Sequence, residues 1–265
     1  MNRIVKRFTE LRKKGERALI TFITAGDPNE QISADILLEL AKSGADIIEV
    51  GIPFSDPLAD GPSIQSSSQR ALRAGMTPIK SLELVSKVRK SSDVPIVLMT
   101  YYNPVQRIGV ERFARLAVES GADGAIITDL PPEEASDWKK AADTEGICTV
   151  FLLAPTSTDS RIKMVAKLAE GFIYCVSRTG VTGARDEISG EVSELVRRVK
   201  EFTDKPAAVG FGISKPEHVR DVCSYADAAV VGSAIVDLIA KYKDLDNLLP
   251  TIATFTQELK RATIP

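Results

Sequence analysis

The sequence predicts an α/β fold in which eight parallel strands alternate with helices. Eight short apolar runs recur along the 265 residues, with amphipathic stretches between them. The runs are Leu19–Thr24, Ile47–Ile52, Ile96–Tyr101, Gly124–Thr128, Thr149–Leu153, Phe172–Val176, Ala207–Phe211 and Ala228–Val231. Near-continuous apolar strands are typical of a parallel sheet covered by helices. Eight such units without a linker indicate one (β/α)8 TIM barrel domain over residues 1–265, with a doubly wound open sheet as the alternative.

Amphipathic stretches supply the predicted helices. Ile32–Ala41 and Val192–Val199 carry apolar residues at helical spacing, as expected of helices that cover a sheet. Three additions to the plain barrel are predicted: a helix at the start (Arg3–Lys14), a helix after Pro62, and a C-terminal helical pair from about Val236 onward.

Composition and charge restrict the class of partner. Charged residues make up 26% of the chain and the net charge is -2 at pH 7, which gives no electrostatic case for nucleic acid or a membrane surface. No apolar stretch is long enough for a membrane span and the N-terminus lacks a signal-peptide core, so a cytoplasmic protein is expected. Cys148, Cys175 and Cys223 lie in or beside apolar runs, which predicts buried free thiols.

Two carboxylates bracket the loop after the second strand. Glu49 lies in the apolar run, and Asp60 ends a stretch rich in proline and glycine. Burial disfavours the charged form of a carboxyl group, so such a residue often has a pKa adjusted for chemistry. From these residues alone, a structural role is equally open, with Glu49 in a salt bridge and Asp60 capping the helix after Pro62.

Polar loops follow the strands, where the active site of a (β/α)8 barrel forms. They include Thr24–Pro28 after the first strand, Tyr101–Pro104 after the third and Thr128–Pro132 after the fourth. The longest, Ser177–Arg185, is predicted to be a mobile lid with glycine hinges.

Glycines after the seventh and eighth strands predict a phosphate site. Gly210–Ser214 and Gly232–Ala234 occupy the two loops that recurrently bind phosphate in this barrel. Glycine lets backbone N–H groups approach an anion, and Gly183 is available from the sixth loop. Neither motif contains lysine or arginine, so backbone dipoles would hold the phosphate.

The strand-end residues restrict the chemistry. None of the eight motifs contains lysine, so a Schiff-base mechanism lacks its nucleophile. His218 is predicted to be a surface residue, and Glu49, Asp60 and Asp129 would make a poor site for a hard metal. Metal-free general acid/base catalysis on a small phosphorylated substrate remains, with Glu49 and Asp60 in separate roles.

The chain closely resembles the alpha subunit family of tryptophan synthase. The uninterrupted string Glu49–Pro62 is the most specific part of the match. It is joined in the correct order by Gly26-Asp27-Pro28, Tyr101 with Asn103-Pro104, Asp129, Ala154–Ser157, Ser177-Arg178 with Gly180–Gly183, Gly210–Ser214 and Val231–Ala234. The resemblance covers essentially the whole barrel.

This resemblance implies retro-aldol cleavage of indole-3-glycerol phosphate to indole and glyceraldehyde 3-phosphate, in tryptophan biosynthesis. It implies that Glu49 is the general acid/base, and that Asp60 accepts a hydrogen bond from the indole N–H and stabilises the indolenine-like intermediate. An apolar strand end that raises the pKa suits the first role, whereas the second requires a carboxylate that stays ionised in a more polar loop.

The resemblance also implies roles around the two carboxylates. Phe22 and Tyr174 would form the substrate pocket, with Tyr174 supporting the catalytic carboxyl, although either residue is equally consistent with plain core. Thr182 would meet Asp60 when the lid closes. The implied phosphate cradle consists of Gly183, Gly212, Gly232 and Ser233.

The family acts in an αββα complex, in which indole passes to a beta subunit that carries pyridoxal phosphate. The resemblance therefore implies no cofactor and no metal in this chain. The residues that resemble the docking face are Pro53, Asp56, Asn103, Pro104 and Pro131.

Two other functions remain open from the sequence. One is another phosphate-binding barrel enzyme, such as an indole-3-glycerol phosphate synthase, which would be expected to show a strand-end lysine. The other is a barrel that acts mainly as an allosteric activator of its partner, against which Glu49 and Asp60 argue.

Overall fold

The computed structural model describes residues 1–176, 190–210, 212–242 and 245–264. Within these ranges nine strands form one parallel sheet, in the order β5-β4-β3-β2-β1-β9-β8-β7-β6. They are β1 (Ala18–Thr24), β2 (Ile47–Gly51), β3 (Ile96–Thr100), β4 (Gly124–Ile127), β5 (Cys148–Val150), β6 (Leu152–Leu153), β7 (Ile173–Val176), β8 (Ala207–Gly210) and β9 (Ala228–Val231). Only Phe151 separates β5 from β6, at the two ends of this order, so together they form one strand that closes the ring. The predicted eight-stranded barrel is confirmed.

Twelve helices surround the barrel in the described part of the chain. They are α1 (Arg3–Lys14), α2 (Glu30–Lys42), α3 (Pro62–Arg73), α4 (Pro78–Arg89), α5 (Tyr102–Ile108), α6 (Val110–Ser120), α7 (Ser136–Glu145), α8 (Asp159–Leu168), α9 (Gly190–Phe202), α10 (Pro216–Tyr225), α11 (Ser233–Lys241) and α12 (Leu245–Arg261). The added helices at the start, after Pro62 and at the C-terminus are confirmed. One expectation is wrong, because Tyr102–Ile108 is helical rather than loop. Pro104 lies in the first turn of α5, where its missing N–H breaks no helical hydrogen bond.

The interior of the barrel is apolar and closed at one end. Inward-facing side chains from the strands form one cluster, which includes Ile20, Ile47, Val97, Ile126, Val150, Tyr174, Ala208 and Val230. Helix α1 adds Ile4, Phe8 and Leu11 to this cluster and so covers the amino ends of the strands. A larger cluster lies between the strands and the outer helices. The interior is therefore accessible from the carboxyl ends of the strands.

Aspartates at the amino end of the barrel connect neighbouring strands. Each carboxylate comes directly before its own strand and accepts a backbone N–H from the neighbour: Asp46 from Leu19 at 2.7 Å, Asp123 from Ile96 at 2.9 Å and Asp227 from Ala207 at 3.0 Å. Cations from the outer layer complete these sites. Asp46 also accepts hydrogen bonds from Arg7 at 2.6 and 3.0 Å and from Lys260 at 2.9 Å. These carboxylates, of which Asp46 and Asp123 are buried, brace the closed end of the barrel.

The three cysteines are free thiols, as the sequence predicts. Cys148 and Cys175 are buried and free, as predicted, and burial raises the pKa of each thiol to about 12. Cys223 is free but only half-buried.

Among the helices of the described ranges, none combines the length and the apolar character that crossing a membrane requires.

Candidate active site

A cavity opens at the carboxyl ends of the strands, above the apolar interior. Its lining residues are Phe22, Glu49, Asp60, Gly61, Ile64, Met99, Tyr174, Gly212, Ile213, Val230, Gly232 and Ser233. The sequence-predicted carboxylates, aromatic residues and described phosphate residues all lie here. Thr182 and Gly183, with the predicted lid, fall outside the described residues. This end of the barrel is where active sites of the fold form.

Glu49 is a buried carboxyl group without a cationic partner among the described residues. It lies in β2, in register with Phe22 of β1 and Val97 of β3, and is 1% exposed. Its Oε1 atom accepts no hydrogen bond from the described residues, and none of them forms an ion pair with it. Burial raises the pKa of Glu49 from 4.5 to about 8. The salt-bridge interpretation is therefore wrong, and Glu49 holds a proton at neutral pH.

Asp60 is also buried, in contrast to the more polar loop expected from the sequence. It is 8% exposed, and burial raises its pKa from 3.8 to about 6, although a hydrogen bond with Tyr101 lowers the pKa. Asp60 does not cap α3, because Gly61 occupies the N-cap position and no side chain caps the helix. Between about pH 6 and 8, Asp60 is mostly ionised while Glu49 is mostly protonated. The two carboxyl groups thus differ in charge at neutral pH.

Tyr101 is a site residue to which the sequence interpretation assigned no role. Its hydroxyl accepts the Ala59 N–H at 3.0 Å and forms the hydrogen bond with Asp60. Its ring packs against Phe54, with centroids 5.1 Å apart. Tyr101 therefore connects the end of β3 to both ends of the loop that carries Asp60. A tyrosine at the end of a predicted strand was the available signal, but its partner lies on another strand's loop.

Glycines on neighbouring strands make room for the two aromatic residues of the cavity. A Cβ atom on Gly51 would lie 2.6 Å from Cζ of Phe22. A Cβ atom on Gly210 would lie 2.1 Å from the hydroxyl oxygen of Tyr174. Both distances are far below van der Waals contact. The absence of a side chain at these two positions therefore decides where the aromatic rings lie.

The opposite side of the cavity offers backbone groups to an anion. Gly232 is the N-cap of α11 and Ser233 its first residue, and no side chain caps this helix. The first turn of α11 carries no acidic residue. Gly212 adopts a left-handed conformation, with φ 80°, in the facing loop. A helix N-terminus with uncapped N–H groups favours a phosphate.

Two other chemistry-bearing residues do not line the cavity. Asp129 accepts the Tyr102 N–H at 2.7 Å and so joins the loop after β4 to the start of α5. His218 is half-buried, and its Nδ1 accepts the Ser214 N–H at 3.4 Å, which supports the loop after β8. Within the described ranges, no group of three or more His, Cys, Asp and Glu side chains is arranged to hold a metal ion.

The predicted docking residues differ in accessibility. Asp56 and Asn103 are exposed and Pro131 is half-buried, whereas Pro53 and Pro104 are buried within the chain. The buried prolines shape the surface from beneath rather than present side chains to a partner. Leu58, at the tip of the Pro53–Asp60 loop that resembles part of the docking face, is 91% exposed but was not named individually.

The fold and the cavity together define a class of protein. A (β/α)8 barrel with one protonated carboxyl, one ionised carboxylate and a backbone anion site is arranged for acid/base chemistry on a phosphorylated substrate. The family model described as tryptophan synthase alpha chain matches residues 8–264. The chain belongs to this family.

Individual relatives are similar to this chain over its full length. The tryptophan synthase alpha chain of Geotalea uraniireducens is 51% identical, covering 98% of this chain and 97% of the relative. A chain in a structure of Mycobacterium tuberculosis tryptophan synthase is 37% identical with a TM-score of 0.93, covering 100% of this chain and 99% of that one. Tryptophan synthase subunit alpha of Legionella pneumophila is 34% identical with a TM-score of 0.90, covering 99% and 98%.

Proposed function

We propose that Glu49 and Asp60 carry the reaction of this family in the present chain: retro-aldol cleavage of indole-3-glycerol phosphate to indole and glyceraldehyde 3-phosphate. Family membership makes the chain a lyase of tryptophan biosynthesis. The observation that supports these residue roles is the pair of pKa values, about 8 for Glu49 and about 6 for Asp60 in one cavity. An acid and an ionised carboxylate coexist at neutral pH.

The reaction begins with proton transfer from Glu49 to C3 of the indole ring. This produces a cationic indolenine, whose N–H donates a hydrogen bond to the Asp60 carboxylate. Glu49, now ionised, removes the proton from the side-chain hydroxyl next to the ring. The bond between C3 and the side chain then breaks, its electrons return to the ring as indole, and the hydroxyl carbon becomes the aldehyde. Glu49 ends the cycle protonated.

The cavity supplies binding groups on both sides of the reacting bond. Phe22 and Tyr174 offer aromatic surface to the indole ring, next to Glu49. Gly212, Gly232 and Ser233 are the described residues of the proposed phosphate cradle. When the predicted lid closes, Gly183 is proposed to complete the cradle and Thr182 to meet Asp60. Backbone dipoles would hold the phosphate, because the described cavity lining contains no lysine or arginine.

The roles are tested by indole release from purified chain supplied with indole-3-glycerol phosphate. Glu49→Gln removes the proton donor with almost no change in volume, so release is expected to disappear. Glu83→Gln, the same change on an exposed position of α4, is the matched control and should retain normal turnover. Equal turnover in Glu49→Gln and the wild type would refute the assignment of Glu49. The alternative of a barrel that acts mainly as an activator instead predicts little indole release from the wild type itself.

We further propose that the chain works with a tryptophan synthase beta subunit in an αββα complex, in which pyridoxal phosphate belongs to the beta subunit. The supporting feature is a surface patch at the carboxyl ends of β2, β3 and β4, formed by Asp56, Leu58 and Asn103, which are exposed, and by Pro131, which is half-buried. Leu58, which is 91% exposed, lies in the loop that carries Asp60 and offers an apolar contact at this surface. A biosynthetic reaction on a phosphorylated metabolite is expected in the cytoplasm.

Binding to a purified beta subunit tests this patch. Leu58→Ser should weaken the complex by about tenfold, because an apolar contact is lost. Met164→Ser on α8, where the methionine is 37% exposed, is the control and should bind like the wild type. Equal affinities for all three proteins would place the interface elsewhere.

A further inference from the structure

Polar contacts join the loop after β1 to helix α3, and the proposed reaction does not use them. Asp27 is fully buried, and its two carboxylate oxygens accept hydrogen bonds from Nε and Nη2 of Arg70, each at 2.7 Å. One turn earlier on the same helix face, the hydroxyls of Ser67 and Thr24 lie 2.5 Å apart. A bidentate arginine–carboxylate pair fixes orientation as well as distance. The end of β1 therefore holds α3 at two successive turns.

Helix α3 has few apolar anchors of its own. Its buried residues are Ser67, Ser68 and Ala71, all small. Helix α2, by contrast, buries isoleucine and leucine side chains against the barrel. Small side chains allow close approach but contribute little apolar area, so packing alone fixes α3 weakly. The polar contacts with β1 therefore add a restraint on its position that apolar packing does not supply.

The position of α3 determines that of Asp60. Only Gly61 separates Asp60 from the first residue of the helix, Pro62. Within the helix, Gln65 donates from Nε2 to the carbonyl of Asp60 at 2.8 Å and to that of Pro57 at 3.4 Å. A displacement of α3 would therefore move the backbone of Asp60 directly.

We propose that Asp27 and Arg70 are positioning residues, which hold α3 so that Asp60 stays in place beside Glu49. This inference rests on the proposed function of Asp60 in indole-3-glycerol phosphate cleavage. Neither residue lines the cavity, so the pair acts through Asp60. Without the pair, α3 and the Asp60 carboxylate would move and water would reach the carboxylate.

Arg70→Gln is the test variant, and the chain offers a matched control. Arg7→Gln removes an arginine of similar exposure, 34% against 31%, from an equally buried aspartate, Asp46, at the opposite end of the barrel. Both variants should lose stability. Only Arg70→Gln should lower kcat, by about tenfold, since small misplacements of catalytic groups are costly. KM should change little, because the proposed phosphate groups lie on other loops.

The titration of the Asp60 carboxyl carbon, followed by carbon-detected NMR without substrate, reports its environment independently of activity. Because burial is the main cause of its raised pKa, exposure to water in Arg70→Gln should shift the midpoint from about 6 toward 3.8, while Arg7→Gln should leave it unchanged. Arg70→Lys, which keeps the charge, should restore part of kcat and of the midpoint. If Arg70→Gln does not fold, Asp27→Asn with Arg70→Gln removes both charges and serves instead.

An Asp60 midpoint that is unchanged or raised in Arg70→Gln would overturn the positioning role, as would kcat values equal in Arg70→Gln and Arg7→Gln. Absence of indole release from the wild type would refute the proposed function. The NMR titration would still decide whether the pair positions Asp60, so the two failures are distinguishable.

Discussion

Asp46 and Glu49 lie three residues apart at β2, and each is 1% exposed, yet their surroundings are opposite. Asp46, at the closed end of the barrel, accepts hydrogen bonds from a backbone N–H, an arginine and a lysine. Glu49, nearer the open end, has an oxygen that accepts none from the described residues. One end of β2 is therefore preceded by a fully paired carboxylate, while the strand itself carries a carboxyl group that has no ion-pair partner among the described residues.

The comparison shows that a buried carboxylate stabilises the fold when cations and hydrogen-bond donors surround it, and is reactive when they do not. Burial alone does not distinguish the two. A buried charge is tolerated when cations and N–H groups surround it. Without them, the carboxyl group keeps its proton, and the pKa of about 8 at Glu49 is the result. Asp27 shows that position along the barrel does not decide the difference. It lies at the open end, yet both of its carboxylate oxygens accept hydrogen bonds from Arg70.

The largest expected effect is on catalysis, at the unpaired site. Glu49→Gln should reduce the rate of indole release by about 10³-fold, since a positioned acid/base contributes 10²–10⁴-fold. The stability of the folded chain should not fall, because no ion pair is lost. Steady-state rates and urea unfolding measure the two quantities on the same samples. A Glu49→Gln variant that is stable and fully active would contradict the assignment of different roles to Glu49 and Asp46.

At Asp46, the paired carboxylate, a substitution is expected to lower stability and to leave catalysis nearly unchanged. Asp46→Ala leaves Arg7 and Lys260 without their shared carboxylate, and the Leu19 N–H without its acceptor. The free energy of unfolding should fall by about 3 kcal/mol or more, as when one partner of a buried pair is removed. Urea denaturation gives this value. Turnover per folded molecule should remain within about twofold of the wild type, and a specific loss of kcat would contradict the division of roles.

The pH dependence of stability should reveal the cost of burying Glu49. Its pKa is about 8 in the folded chain and near 4.5 when unfolded, so the folded state binds more protons between these values. Stability contributed by this group is therefore present at low pH and decreases as the pH rises through this window. Relative to Glu49→Gln, the wild type should lose roughly 3 kcal/mol between pH 5 and 8. Parallel curves for the two proteins would contradict the raised pKa.

A smaller effect is expected from Tyr101, the only partner found to lower the pKa of Asp60 in the described residues. Tyr101→Phe removes this hydrogen bond, so the pKa of Asp60 should rise further above 6. The acid limb of kcat/KM should move to higher pH, and kcat should fall by about tenfold. The substrate phosphate also titrates near pH 6, so the difference between the two proteins is the informative quantity. An unmoved acid limb would show that Tyr101 does not act on Asp60.

Much of the fold and part of the site could be predicted from sequence because their signals are local. The apolar run at Ile47–Ile52 predicted both β2 and a buried Glu49, and the strand-end glycines predicted the backbone groups at Gly212 and Gly232. Other features depend on distant contacts. Asp46 follows Gly44-Ala45 like an ordinary helix end, and its partners come from α1, β1 and α12. The burial of Asp60 and its bond with Tyr101 likewise arise only when two loops meet.

The most direct test of the difference between the paired and unpaired carboxyl groups is the titration of Glu49 itself. Selective labelling of glutamate carboxyl carbons, with Glu49→Gln to assign the signal, allows the protonation of Glu49 to be followed by NMR in the absence of substrate. A midpoint near 8 is expected if burial without a partner sets its chemistry. A midpoint near 4.5 would show that Glu49 is ionised at neutral pH, and would contradict its role as the proton donor.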